Sequence, residues 1–567
     1  MKFFTLIAML SCATAFAQMP TDAEIRRILQ DRVGAENHGA AIVVGLIDTN
    51  GRRVVAYGSL AKDDARKPGG DTVFEIGSVT KVFTSLLLMD MVRRGEVALD
   101  DPIAKYLPSG VKVPERNGRK ITLADVSTQS SGLPRMPSNF TPKDSANPYA
   151  DYTVQQMYDF VSGYQLTRDI GSQYEYSNLA VGLLGHALSL RAGKSYEALV
   201  RERVCDPLSM SDTRITLTPG MKARLAIGHT ATLEAVPNWD LPTLAGAGAL
   251  RSTVNDMLTF LAANLGFTKT PLAQAMADEV SIRKPAFPGM EIAYAWHVET
   301  KDGSSIIWHN GGTGGYRSYI GFDPKARTGV VVLTNVSTPA GPDDIGKHLL
   351  NAKFALQKSG PPVVRNPIKL DSKVFDRYTG NYQLAPSVLV GVTRDGEHFY
   401  MQLTGQPKVE VFAESDTKFF MKVVDAQVNF GLDAQGAATQ LTIHQNGLDM
   451  VAKRLTDDEL QRAKDPAQSR KPSPGTETAI RRSIQELQKG EPNYELMSAE
   501  FAQVARPQMP QLKTMMDSYG ALKSVTFKGV GVGGLDIYEV EFEHAKTEWK
   551  IILGPDGKTL GMGFRPL

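Results

Sequence analysis

Cysteine is nearly missing from this chain: there are two in 567 residues, Cys12 and Cys205. Cys12 falls in an N-terminal stretch that reads as an export signal, so the mature chain keeps one cysteine and no internal disulfide. Cys205, in Arg203-Val-Cys-Asp-Pro-Leu208, reads as a small buried hydrophobe and not as a nucleophile. An excess of charge of one sign is lacking too. The formal net charge is +2 and no block of Lys or Arg breaks the balance, which argues against nucleic acid as a partner. HExxH, histidine pairs at metal spacing, cysteine clusters and a Walker glycine loop are all absent. A metal-dependent hydrolase is therefore disfavoured and no cofactor is expected. After the N-terminus, no apolar run is long enough to span a bilayer.

The N-terminus itself carries Lys2, the apolar run Phe3 to Leu10, and Ala15-Phe-Ala17 before Gln18. That order of basic, apolar and small residues is expected to be a signal peptide over 1–17, cleaved after Ala17, giving a periplasmic or secreted protein. Met9-Leu-Ser-Cys12 loosely matches a lipoprotein cleavage site as well, behind a short apolar run. The remaining length exceeds one domain.

Hydrophobic patterning divides the rest. Ala40 to Ile47 and Arg53 to Gly58, around Asp48-Thr-Asn-Gly51, read as a hairpin. A strongly apolar helix follows from Gly77 to Arg93-Arg-Gly95, and being apolar on most faces it is expected to be central. Residues 116–170 are rich in Pro, Ser and Asn, with short helices over 122–128 and 153–163. Loops of that length are often the walls of a site. A helix is expected over 179–191 and another over 253–264. Strands are expected over 293–299, 304–309, 317–322 and 329–333, and a closing helix over 343–356. The pattern is α+β: an antiparallel sheet with packed helices and a helical insert, spanning 18–360. Lys358-Ser-Gly-Pro-Pro362 marks a boundary. Residues 364–454 read as a small all-β domain of barrel type, 455–475 as a linker, and 476–567 as a C-terminal α+β domain, with helices over 476–489, 494–504 and 508–519.

The chemistry concentrates at Phe74-Glu-Ile-Gly-Ser-Val-Thr-Lys81. Ser78 and Lys81 lie one helical turn apart, on one face. A serine needs a base to become a nucleophile, and a lysine in an apolar wall can lose its charge and become that base. Tyr176-Ser-Asn178 precedes another helix and offers a phenol for proton transfer beside an amide. His309-Asn-Gly-Gly312 ends a strand, where a backbone N–H and a side chain can meet a carbonyl group. Taken alone, Ser78 would be a helix cap and Lys81 a solvated cation. A cation in a first turn is mildly unfavourable, which hints at a reason for it.

Together, Gly77-Ser-Val-Thr-Lys81, Tyr176-Ser-Asn178 and His309-Asn-Gly311 resemble the motifs of the penicillin-recognising serine hydrolases. That family includes class C β-lactamases, D-Ala-D-Ala carboxypeptidases, D-aminopeptidases and related esterases. Ser130-Ser-Gly-Leu-Pro134, Val204-Cys-Asp-Pro-Leu-Ser-Met210 and Ala247-Gly-Ala-Leu-Arg-Ser252 support it. The resemblance implies a β-lactamase/transpeptidase-like fold and an acyl-enzyme on Ser78. Lys81, Tyr176 and His309 would serve catalysis, and Asn178, Asn310, Gly311 and Gly312 would contact substrate. The N–H groups of Ser78 and Gly312 would form the oxyanion hole. His309 stands where class C enzymes carry lysine, as in the carboxypeptidase and aminopeptidase branch. Gln129 stands where many relatives have histidine. The implied substrate is a small molecule or peptide: a β-lactam, a D-amino-acid peptide or a small ester. A carboxylesterase, or a penicillin-binding receptor with little turnover, is the alternative. The two downstream regions resemble lipocalin-like and cystatin- or NTF2-like modules, which would pack or restrict substrate without chemistry of their own.

Overall fold

A computed structural model describes residues 19–566 apart from 36–40, 62–63, 288, 302, 339–340, 358–364, 366, 386–387, 405–407, 422–425, 446–447, 458, 461–471, 499–500, 503–504, 507–508, 531–534 and 555. The expected signal peptide, the boundary at 358–362 and most of the expected linker lie outside these residues. The chain forms two compact units, the second starting at Pro367.

In the first unit an eight-stranded antiparallel sheet has the order β2-β1-β8-β7-β6-β5-β4-β3. Its strands are β1 (Ala41–Asp48), β2 (Gly51–Gly58), β3 (Lys284–Phe287), β4 (Met290–Ile292), β5 (His297–Lys301), β6 (Ser304–Gly312), β7 (Arg317–Asp323) and β8 (Thr328–Thr334). Of these, β3 and β4 were not expected from the sequence. Successive strand residues point to opposite faces, and here both faces are covered. Ile42, Val44, Leu46, Val330 and Val332 pack with Ile25 and Leu29 of helix α1 (Asp22–Gln30), and Val43, Ile47, Val331 and Leu333 pack into the larger core on the other face. That is why β1 reads as an unbroken apolar run and not an alternating one.

The larger core is built around helix α2 (Thr80–Arg93), whose residues Thr80 to Met91 are all buried. The C-terminus of α2 closes as the sequence suggested: Gly95 adopts φ +70°, and the N–H groups of Gly95 and Glu96 return to the Val92 and Met91 carbonyls. Helices α3 (Leu123–Ser127), α4 (Val154–Gly163), α5 (Asn178–Ala192), α6 (Val254–Asn264) and α7 (Ala273–Glu279) complete this layer. At Gly45 a side chain would meet Val254 of α6 at 2.5 Å, so glycine lets that helix lie directly on the sheet. On the opposite face, α8 (Asp343–Leu350) is shorter than the expected 343–356, ending where Asn351 turns extended. Cys205 is buried, and burial pushes its thiol pKa up, as befits an inert core residue.

The second unit contains a closed barrel of eight antiparallel strands between Gly380 and Arg454. Phe375, from the short helix α9 (Ser372–Asp376), stacks on Phe399 within the barrel core. Further on, helices α10 (Thr476–Lys489) and α11 (Met509–Tyr519) pack on a four-stranded antiparallel sheet from Leu522 to Pro566. Within the helix expected over 494–504, Tyr494–Leu496 is a 3₁₀ turn and Met497 is drawn out by its bridge to Thr559, with the Ser498 N–H donating to the Thr559 carbonyl, whereas Phe501 and Ala502 are helical, the Ala502 N–H returning to the Ser498 carbonyl. No helix among the described residues is long and apolar enough to cross a membrane.

Candidate active site

Ser78 is placed by three ties around Gly77. A short strand (Val73–Glu75) pairs with Arg251–Thr253, the Ile76 N–H donates to the Leu250 carbonyl at 3.1 Å, and the buried Arg251 guanidinium meets Glu75 at 3.2 Å. These ties give the Ala247–Ser252 motif a physical reason. Gly77 then takes φ +49°, a left-handed turn suited to glycine. Ser78 follows in a 3₁₀ turn that runs into α2. No side-chain cap hydrogen bond forms there, so the simple cap reading of Ser78 does not hold.

Lys81 is fully buried, and its Nζ lies 3.0 Å from the Ser78 hydroxyl, 2.8 Å from Asn178 Oδ1 and 2.6 Å from the Ala247 carbonyl. Burial, and then the positive charge of Arg135, hold its pKa well below the usual lysine value. A neutral amine has two N–H donors and one lone pair. Asn178 Oδ1 and the Ala247 carbonyl can only accept, so they take the two donors and the lone pair is left for the Ser78 hydroxyl proton.

Tyr176 joins them from the loop before α5. Lys81 Nζ is 4.8 Å from its ring centroid and the Arg135 guanidinium 5.0 Å. Burial pushes the phenol up to about 12, while the facing Ser78 hydroxyl and the Arg135 charge act in the opposite direction. At neutral pH the group is a phenol.

His309 is buried, its ring 6.4 Å from that of Tyr176 and stacked on His297 at 5.1 Å. Burial first, then His297 and Lys81, keep it uncharged. Its Nδ1 is 2.6 Å from the Asn310 carbonyl, which can only accept, so Nδ1 carries the proton and Nε2 keeps its lone pair.

The alternation of β6 separates the remaining residues. Ile307 packs in the α2 core and Trp308 in the α8 core. Gly311 therefore faces Ser78 with His309, whereas Asn310 faces α8, where its amide donates to Asp343 at 2.5 Å. Of the eight residues singled out in the sequence, Asn310 is the one whose side chain lies on the face away from Ser78. A Cβ on Gly311 would sit 2.9 Å from the Ser78 nitrogen, and one on Gly77 would sit 2.7 Å from the Gly312 nitrogen. The Thr313 N–H donates to the Tyr316 carbonyl, making 313/316 a hydrogen-bonded pair. The next pair, Gly312/Arg317, is then a non-bonded one. The Gly312 N–H points instead to the outer edge of β6, beyond the reach of β5, which pairs only as far as Trp308.

Several residues at this site were given no role by the sequence, Gln129 among them although its position stood out. Gln129 is buried with φ +56°. Its carbonyl accepts from the Glu175 N–H at 2.7 Å and its Oε1 from the Ser177 N–H at 2.8 Å, so it holds the chain on both sides of Tyr176. Gln129→Leu would leave the buried Ser177 N–H unpaired. It is expected to cost about 1–3 kcal/mol in urea or guanidinium unfolding; a shift below about 0.5 kcal/mol would show that the loop is held without it. Arg135 follows directly on Ser130-Ser-Gly-Leu-Pro134, and Tyr149 comes from the long loop before α4, its hydroxyl 3.4 Å from Asn178 Nδ2. Among the described residues no three His, Cys, Asp or Glu side chains come together as a metal site.

The Beta-lactamase family matches residues 25–353, and a domain of unknown function (DUF3471) matches 364–462. The D-alanyl-D-alanine-carboxypeptidase/endopeptidase AmpH of Escherichia coli is 31% identical over 364 residues, 59% of this chain and 92% of that protein. Penicillin-binding protein 4* of Bacillus subtilis is 22% identical over 70% of this chain and 91% of its own. The crystal structure of a beta-lactamase/D-alanine carboxypeptidase from Yersinia pestis covers 59% of this chain and 97% of its own with a TM-score of 0.51, at 24% identity, a likeness of fold. The sheet and helices that surround Ser78 are thus those of a known fold, and the chain belongs to the beta-lactamase family.

Proposed function

We propose that this chain is an exported serine hydrolase that opens a β-lactam or a peptide-like amide through an acyl-enzyme on Ser78. The observation that carries the reading is the hydrogen-bond set of Lys81, two pure acceptors and one hydroxyl. In acylation the Ser78 Oγ–C bond forms, the Ser78 proton passes to Lys81 Nζ, and the C–N bond breaks as the leaving nitrogen takes a proton from the Tyr176 hydroxyl. Tyr176 is then reprotonated from Lys81. In deacylation the site takes a proton from water, the water oxygen bonds to the acyl carbon, and Ser78 Oγ leaves with a proton. The backbone N–H groups of Ser78 and Gly312 are suited to receive the negative charge on the carbonyl oxygen. Neutral His309, beside Tyr176, offers an acceptor to that proton path without adding charge. Export rests on the composition of residues 2–17, and the barrel and C-terminal region are assigned no chemistry.

The test is covalent. Wild-type protein incubated with a fluorescent penicillin or a fluorophosphonate is expected to gain one adduct, mapped by peptide mass to Ser78, and Ser78→Ala none. No adduct on the wild type, or an adduct that survives in Ser78→Ala, overturns the proposal. Nitrocefin and a D-Ala-D-Ala peptide, followed to steady state, then separate the outcomes: rapid nitrocefin turnover identifies a β-lactamase, and a burst that stalls identifies a penicillin-binding peptidase.

A further inference from the structure

The C-terminal region holds a cavity of about 210 Å³ among helices α10 and α11, the residues between them, and the last two strands of its sheet. This cavity separates the apolar residues of the region into two groups. Leu487, Trp549 and Phe564 pack with the cluster of helices and sheet, whereas Met497, Phe501 and Ala505 belong to a cluster of their own, and both groups line the cavity. Around it, Met509, Met515 and Met562 are only half-buried. A bound apolar molecule would join the two clusters and complete that burial. Methionine suits the purpose, being flexible and polarisable and favourable against aromatic rings.

The few polar groups in the lining say what kind of molecule fits. The Trp549 indole N–H already donates to Thr547 Oγ1 at 2.8 Å, so that ring offers the cavity no hydrogen bond. Glu486 accepts from the Asn493 N–H at 3.1 Å and lies 3.5 Å from the Arg482 guanidinium. Its charge is therefore already met, and its presence disfavours an anion. Ser483 is different. It is buried on α10 in the cavity wall, and among the described residues its hydroxyl has no hydrogen-bond partner. A helical serine commonly returns its hydroxyl to the carbonyl four residues back, as Ser189 does to Gly185 at 2.7 Å. A buried hydroxyl left unpaired in an apolar wall lacks a partner that a ligand can supply.

We infer that this cavity is a binding site for one neutral aromatic molecule carrying a single hydroxyl. The hydroxyl meets Ser483, and the rings lie among Trp549, Phe564 and the methionines. Size sets the scale: an apolar cavity of about 150 Å³ takes one benzene, so this one takes a two-ring molecule. The inference is independent of the chemistry at Ser78.

The test uses 2-naphthol, naphthalene and 2-naphthoate on the full chain, by equilibrium dialysis at neutral pH, with methyl-¹³C methionine spectra to place the ligand. 2-Naphthol is expected to bind once per chain. Naphthalene should bind about 3- to 10-fold more weakly for want of the hydroxyl, and the naphthoate anion about 10-fold more weakly or worse. Ser483→Ala should bring 2-naphthol down to the naphthalene level and leave naphthalene within about 2-fold of wild type. The Met515 and Met562 methyl signals, assigned with Met515→Leu and Met562→Leu, should move on binding. The signal of Met136, which lies beside Asn178 in the Ser78 cleft, should not. Ala505→Phe, which fills the cavity, should abolish binding of both neutral molecules; if it does not fold, Ser483→Ala and the wild-type spectra decide. No saturable binding of 2-naphthol overturns the inference, as does a shift of Met136 without Met515 and Met562. Equal binding of the anion, or a Ser483→Ala variant that binds 2-naphthol as wild type does, overturns it too.

Discussion

Lys81→Met is expected to lower kcat/KM by about 10³- to 10⁴-fold, the range lost with a general base. The protein should still fold. Methionine fills nearly the same apolar volume, and the groups it strands are the Asn178 amide oxygen and the Ala247 carbonyl, a cost of about 1–3 kcal/mol each at most, set against relief from a desolvated amine. Lys81→Arg separates two roles that Lys81→Met leaves merged. Arginine keeps the positive charge but cannot give up its proton at any accessible pH. If the lone pair on Nζ does the work, Lys81→Arg fails as badly as Lys81→Met. An arginine variant within about 10-fold of wild type would show that the positive charge matters instead.

The same depressed pKa fixes a direction with pH. Burial disfavours the ammonium form and Arg135 adds to the effect, so the working neutral amine is lost as pH falls. The acid limb of kcat/KM should therefore rise to a plateau with its midpoint well below 10.5, the ordinary lysine value. For stability the sign follows from proton counting. Between the depressed folded value and 10.5 the unfolded chain binds a proton that the folded chain does not. The Lys81 contribution is thus fully favourable above 10.5 and erodes as pH drops towards the folded value. Lys81→Met should remove that slope from a urea-unfolding series across pH, and an unchanged slope would mean the amine is not depressed in the folded state.

Much of this site could be read in the sequence because its spacing is local. Ser78 and Lys81 need only one turn of helix to meet, and the apolar faces of α2 announced its burial. The opposite orientation of Asn310 was legible in principle: once residues 304–312 are a strand, period two sends Asn310 and His309 to different faces. Gln129 and Arg135 were not legible. Both lie in a stretch with no period, and Gln129 works through a left-handed backbone and a hydrogen bond to Ser177, far along the chain. A side chain's reach across a loop leaves no pattern in its own neighbours. The break at Met497 escaped the sequence for a related reason: pairing with Thr559, distant in sequence, draws the backbone out between the turn at Tyr494–Leu496 and the helical residues Phe501 and Ala502. Local propensity loses at that one point to a tertiary contact.

Gly311→Ala tests the seam between β6 and the Gly77 turn with a single methyl group. Its Cβ would stand 2.0 Å from the Ile76 carbonyl oxygen, 2.5 Å from Ser318 Oγ and 2.9 Å from the Ser78 nitrogen. Two of these are backbone atoms. The Ile76 carbonyl is further held by hydrogen bonds from the Val79 N–H and the Ser318 hydroxyl. No rotamer relieves the clash, so the strand or the turn must move. The expected cost is about 3 kcal/mol or more, the upper range of overpacking, and a fall in Tm of about 4 °C or more for a unit of this size. The same displacement shifts the Ser78 N–H relative to the Gly312 N–H, and misplacing an oxyanion donor costs about 10²- to 10³-fold in kcat. Gly312→Ala is the control. A Cβ there meets the Arg317 side chain, Nη1 at 2.8 Å and Cδ at 3.2 Å, whose displacement would strain the hydrogen bonds from Nη1 to the Thr313 and Tyr316 carbonyls and cost about 1–2 kcal/mol. Gly311→Ala should therefore be far more damaging than Gly312→Ala in both Tm and kcat, although the two glycines are adjacent. Equal effects at the two positions would mean that β6 does not seat against Ile76 and Ser78, and the two backbone donors would lose their common target.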